Sequence, residues 1–76
     1  MNNELTYGQK AVGITFNVEG DPKVAEVKAL YAKIIDLCNE LRTEAGQSEK
    51  GRLLSVAITE AQTAQMWAVK GITYKY

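Results

Sequence analysis

The chain has 76 residues, with nine Lys+Arg against nine Asp+Glu, no histidine, one cysteine and one proline. A chain this short buries only about 60% of its unfolded surface as one domain and needs a staple. A lone Cys38 and the missing histidines exclude an internal disulfide, structural zinc and Ser-His-Asp or Cys-His catalysis, which leaves self-association, and zero net charge argues against a coat for long nucleic acid.

Met1 to Leu5 offer neither the basic start nor the apolar run of a signal peptide. No apolar stretch approaches the roughly 18 residues of a membrane span, so a cytosolic protein without membrane contact is expected. Thr6-Tyr7-Gly8-Gln9 fits a capping box and starts a short helix, which Gly8 and Gly13 weaken. Ile14 to Val18 is β-branched and aromatic but has no second strand, and reads as an extended linker. The short helix and linker together span about residues 6–20. Asp21 is then a good N-cap and Pro22 a good first helical residue.

Nothing breaks a helix over about 22–45. Val24, Val27, Tyr31, Ile34, Cys38, Leu41 and Ala45 alternate spacings of 3 and 4, an a/d seam on a rod about 36 Å long, with Leu30 and Leu37 on one flank and Ile35 on the other. Cys38 among Ile34, Ile35, Leu37 and Leu41 reads as a small core hydrophobe. Gly46 is a C-terminal stop and Ser48 the next N-cap. A second long helix over about 49–71 has Leu54, Ala57, Ala61, Ala64 and Ala68 as its seam, small enough for close approach of two helix axes. The expected fold is therefore all-α: a short N-terminal helix and a long antiparallel helical hairpin, in a single domain over 1–76. Leu30, Ile35, Leu37, Trp67 and Ile72 fall outside the seams. They are covered either by other copies, giving a compact homo-oligomer, or on one flank by the N-terminal piece folding back.

Charge divides along the hairpin. Residues 36–49 carry Asp36, Glu40, Glu44 and Glu49 against Arg42 alone, and residues 61–76 carry Lys70 and Lys75 with no acid. The open end gathers Lys23, Lys28, Lys70 and Lys75, with Tyr7, Phe16, Trp67, Tyr74 and Tyr76 assigned there too, beside a helix N-terminus. Lysines for phosphate, rings for a base and a dipole end describe a site for a phosphorylated aromatic ligand. The same residues also serve plain structure, as lysines near a helix C-terminus and aromatics packing a small core. No Gly-rich phosphate loop is present and nothing activates a nucleophile. Glu40 and Glu44 read as a solvated i,i+4 face. A binder without chemistry and without cofactor or metal is expected.

Ser48-Glu49 followed by Ala57, Thr59-Glu60-Ala61, Ala64 and Met66-Trp67-Ala68 resembles the terminal hairpin of phage cyclic-nucleotide sponges. Tyr7-Gly8-Gln9-Lys10, Thr15-Phe16-Asn17, Gly20-Asp21-Pro22-Lys23 and Ile34-Ile35-Asp36-Leu37 resemble the anti-CBASS branch of that group. The resemblance implies a homohexamer that binds cyclic dinucleotides and cyclic trinucleotides of bacterial CBASS immunity, without cleaving them, in the cytoplasm of the infected host. It implies dinucleotide pockets between protomers, with Tyr7 against a base and Lys23 against phosphate. Lys10, Asn17 and Lys28 are neighbouring candidates, and no residues are assigned to a second, trinucleotide pocket. A related branch, aimed at Thoeris immunity, carries the hairpin behind a longer N-terminal domain, so this short chain is expected to follow the anti-CBASS branch. The alternative function is a small helical adaptor that blocks a host protein by helix packing.

Overall fold

The structure is a computed structural model. It describes residues 4–76, so Met1 to Asn3, part of the segment read above for a leader, lie outside the described residues. Three helices follow in order: α1 (Tyr7–Val12), α2 (Pro22–Ala45) and α3 (Glu49–Ile72). Among the described residues there is no strand. The fold is the expected long hairpin of α2 and α3 after a short N-terminal helix.

Local chemistry sets the starts of the helices. The Thr6 hydroxyl accepts from the Gln9 N–H at 3.1 Å while the Gln9 side chain accepts from the Thr6 N–H at 2.9 Å, closing the capping box of α1. Asp21 caps α2, accepting from the N–H groups of Lys23 and Val24 at 2.8 and 3.4 Å, with Pro22 in the first turn. Ser48 caps α3, accepting from the Gly51 N–H at 3.1 Å and donating to the Ala45 carbonyl at 3.1 Å. Each cap satisfies backbone N–H groups that the first helical turn leaves without partners. Gly46 ends α2 at φ 64°. Gly51 is the tight point of the hairpin, because a Cβ there would stand 2.3 Å from the Gly46 carbonyl oxygen.

The segment between α1 and α2 is not the extended linker its β-branched residues predicted. It folds as consecutive turns, with Phe16 N–H donating to Gly13 O at 2.9 Å and Gly20 N–H to Asn17 O at 3.0 Å. The Asn17 side chain brackets the Asp21 backbone, donating to its carbonyl at 2.9 Å and accepting from its N–H at 3.1 Å. Without a partner strand, turns are the way this segment satisfies its own backbone groups.

α1 leans on α2 and hardly touches α3. Gly8 makes this possible: a Cβ there would stand 2.1 Å from the Ala32 carbonyl oxygen, and its N–H donates to Asp36 Oδ1 at 2.7 Å. Gly8, expected to weaken α1, is what lets α1 dock. The core is Val12, Ala32, Ile35 and Ile58, with Ala11, Ile14, Tyr31, Cys38 and Ala61 packed around it.

Both seams turn by about one residue from the expected register. On α2 the buried positions are Val24, Lys28, Ala32 and Ile35, whereas Ile34 is 51% exposed. α2 has neighbours on two adjoining faces, α1 and α3, so its inward arc centres between them. On α3 the buried positions are Gly51, Ile58 and Gln65, with Ser55 and Gln62 half-buried between them and Val69 half-buried one turn beyond, while Ala57 and Ala64 are exposed. That row mixes polar with apolar side chains, so hydropathy pointed to the alanine row beside it. Of the expected seam, Leu54, Ala61 and Ala68 are half-buried, with Ala61 against the core, so the ladder meets α2 along its edge and not along its centre.

α1 covers the Ile35 flank, and Ile72 is half-buried. Leu30, Ile34 and Leu37 of α2 and Leu53, Val56, Met66 and Trp67 of α3 remain exposed. The Cα trace is only 12 Å deep in its thinnest direction, one layer of helices. Its accessible surface is 5637 Å², whereas a compact monomer of this mass exposes about 4,600 Å². Its radius of gyration of 13.7 Å likewise exceeds the roughly 11 Å of a compact 76-residue domain.

Candidate ligand-binding site

The residues predicted to bind a ligand divide between two places. The first surrounds Tyr7 at the start of α1, close to the middle of α2. Tyr7 is 46% exposed, and the Arg42 guanidinium lies over its ring, 5.4 Å from the centroid. Arg42 is itself held: it donates to Asn39 Oδ1 at 2.6 Å and to Ser55 Oγ at 3.3 Å. The Gly8–Asp36 bond fixes the backbone beside Tyr7. Tyr7 is therefore not at the open end of the hairpin, where the sequence reading grouped it, because α1 docks through Gly8 near Ala32 and Asp36.

The second place is the open end. Lys28 is buried, and its ammonium donates to the carbonyls of Gly13 (3.0 Å) and Phe16, with the Phe16 ring 5.4 Å away. Lys23 is exposed and pairs with Glu26 at 3.2 Å. Lys75 pairs with Glu19 at 2.9 Å, and this carboxylate raises the lysine's pKa above its ordinary value. Lys70 lies over the Trp67 ring at 5.3 Å. The open-end lysines thus already have partners within the chain, and the N–H groups at the start of α2 are taken by Asp21. A free helix N-terminus aimed at phosphate, as the charge reading expected, is not what Asp21 leaves. Lys10 makes no ion pair among the described residues.

Two concave regions flank the linker. One, of about 420 Å³, is lined by Phe16, Asn17, Val24, Lys28, Val69 and Lys75. The other, of about 540 Å³, runs between α1 and α3 and is lined by Lys10, Phe16, Lys28, Gln62, Gln65 and Met66. Lys28 thus lines both regions, Asn17 only the first and Lys10 only the second, whereas Tyr7 and Lys23 line neither. Tyr7 and Lys23 are also far apart. Gly8 sits at Asp36, thirteen residues along α2 from Lys23, which is about 20 Å of helix. Tyr7 and Lys23 therefore stand at different stretches of α2.

The residue that sequence reasoning missed is Arg42. Its signal was present, since Arg42 is the only base in the acidic run 36–49. Its partner Tyr7 lies 35 positions away and belongs to a helix whose docking no local pattern reveals.

A short N-terminal helix followed by a long hairpin defines a small all-helical protein, and among the described residues no cluster of His, Cys, Asp or Glu could hold a metal. The family model described as Acb2/Tad1, hairpin domain, matches residues 9–73. The chain belongs to this family, the phage anti-CBASS and anti-Thoeris sponges for cyclic-nucleotide signals. Searches of curated proteins and of solved structures found no match. Lys10, Asn17, Lys23 and Lys28 fall inside the matched span, and Tyr7 lies two residues before it.

Proposed function

We propose that this protein sequesters the cyclic di- and trinucleotide messengers of bacterial CBASS defence, in the cytoplasm of the infected cell, and releases them chemically unchanged. The family match over residues 9–73 carries this reading. The working form is a homohexamer. Its support is the single-layer shape and the excess of about 1,000 Å² of surface over a compact monomer, comparable to one side of a standard protein interface. Leu30, Ile34 and Leu37 at i, i+4 and i+7 form a ready stripe for helix packing.

The dinucleotide site lies between chains, with Tyr7 from one and Lys23 from another, in keeping with their separation along α2. The Tyr7 ring stacks on a base and the Lys23 ammonium meets phosphate. Lys23 must first leave Glu26, which costs little because an exposed pair of this kind contributes at most about 1 kcal/mol. Lys10, which makes no ion pair among the described residues, adds a second positive charge. Asn17 and Lys28 serve from behind, holding the linker that leads into α2 and Lys23.

Native mass spectrometry with a panel of cyclic di- and trinucleotides tests the reading. A hexamer that gains whole ligands, and returns them intact on denaturation, is the expected result. Tyr7→Ala and Lys23→Ala should each weaken cyclic dinucleotide binding while leaving subunit number unchanged. Linear product would make the protein a diesterase. A chain indifferent to every nucleotide would favour the helical adaptor, which would use the same apolar stripe against a host protein.

A further inference from the structure

We infer that Arg42 is a positioning residue for the ligand site, backing the Tyr7 ring so that its remaining exposed surface is presented to an incoming base. The inference rests on the reading of Tyr7 as the base-stacking residue. Three observations carry it. The guanidinium lies over the ring at 5.4 Å, within cation–π range. It is not a loose surface arginine, because Asn39 on its own helix and Ser55 on α3 both accept from it. The ring it backs is nonetheless nearly half exposed, so Arg42 restrains Tyr7 without covering it.

The physical effect has two parts. A tyrosine at the edge of a six-residue helix would sample several rotamers, and a ring already held loses less freedom when a base arrives. The cation also draws on the π-electron density of the ring, which favours stacking on an electron-rich purine. Ser55 makes the device a product of the hairpin: α2 supplies the guanidinium, α3 braces it and α1 supplies the ring. Lysine is not equivalent to arginine here, since it has neither the flat face that lies over the ring nor the rigid, planar fork of donors.

Isothermal titration of the full chain with cyclic GMP–AMP and cyclic di-AMP, in a double-mutant cycle with Tyr7→Ala, tests this. Arg42→Lys, which keeps the charge, should weaken binding about three- to five-fold, the size of an exposed cation–π contact. The loss should vanish in the Tyr7→Ala background, because the two residues act through one contact. In the ligand-free protein, the carbon-13 ring signals of Tyr7 should shift in Arg42→Lys while those of Tyr74 and Tyr76 stay in place. Ser55→Ala, a small change at a half-buried position, should reproduce part of both effects and carries the test where Arg42→Lys does not fold. Losses that add to that of Tyr7→Ala, or no loss at all, would overturn the role of Arg42. Unchanged binding in Tyr7→Ala itself would instead remove the reading of Tyr7, and the inference with it.

Discussion

Adding one methyl group at Gly8 should unseat α1. In an open helix, Gly→Ala gains about 1 kcal/mol from backbone propensity. At Gly8 the new Cβ would stand 2.1 Å from the Ala32 carbonyl oxygen and 2.9 Å from Asp36 Oδ1, where ordinary contact begins at 3.4 Å. The Ala32 carbonyl belongs to the middle of α2 and cannot turn aside, so α1 must retreat by more than 1 Å. Overpacking of this kind costs about 1–3 kcal/mol. Losing the hydrogen bond from the Gly8 N–H to the Asp36 carboxylate costs about 1.5–3 kcal/mol more. After the propensity gain, Gly8→Ala should destabilise by roughly 1.5–5 kcal/mol. Gly71→Ala is the control, since nothing lies within 4 Å of its Cβ position; it should be neutral or gain about 0.5 kcal/mol. Urea unfolding followed by far-ultraviolet circular dichroism reads both, at one fixed protomer concentration because association raises apparent stability. A Gly8→Ala protein as stable as wild type would refute the reasoning, and with it the close approach of α1 to α2.

Three further outcomes are expected. Ile35→Ala, at a large side chain with no exposed surface, should cost about 2–5 kcal/mol in the same unfolding assay. Lys28→Met keeps the length of the buried side chain but takes the ammonium donor from the Phe16 carbonyl and leaves the Gly13 carbonyl only the Phe16 N–H; it should cost about 1–3 kcal/mol and speed amide exchange across residues 13–21. Hydrogen bonding to Arg52 holds the Glu49 carboxyl below its ordinary pKa. A depressed folded-state value means the contribution is present above the ordinary carboxylate range and is lost as pH falls through the lowered one, so the first turn of α3 should loosen at acid pH. In an NMR titration, Arg52→Gln should move the Glu49 midpoint upward.

The parts of the fold legible in the sequence were those decided locally. Thr6, Asp21 and Ser48 cap the helices because each bonds to residues two or three positions on, and Gly46 stops α2 by its own backbone freedom. The register of the seams was not legible, because it depends on a third helix. Ile35 is buried and Ile34 exposed since α1 lies on one flank of α2, and α1 lies there because Gly8 has no side chain, a fact that propensity alone counts against the helix. Polar Gln65 in the inward row of α3 misled the hydropathy pattern in the same way. At the candidate site, residue types were legible but their grouping was not. Lys28 looked like a free cation and is spent on two carbonyls, while Tyr7 looked like an open-end aromatic and sits beside Arg42 instead.

On the proposed site shared between chains, the distance between Lys23 and the part of α2 where Tyr7 docks carries a consequence for dosage. A ligand that must touch both ends finds half a grip on any isolated chain, whatever the intrinsic strength of each half. Capture then rises with a power of protein concentration greater than one and shows a threshold at the point where subunits meet. Below that threshold each newly made copy adds little protection. Above it, signal and subunits lock one another in place, so dilution should release both together.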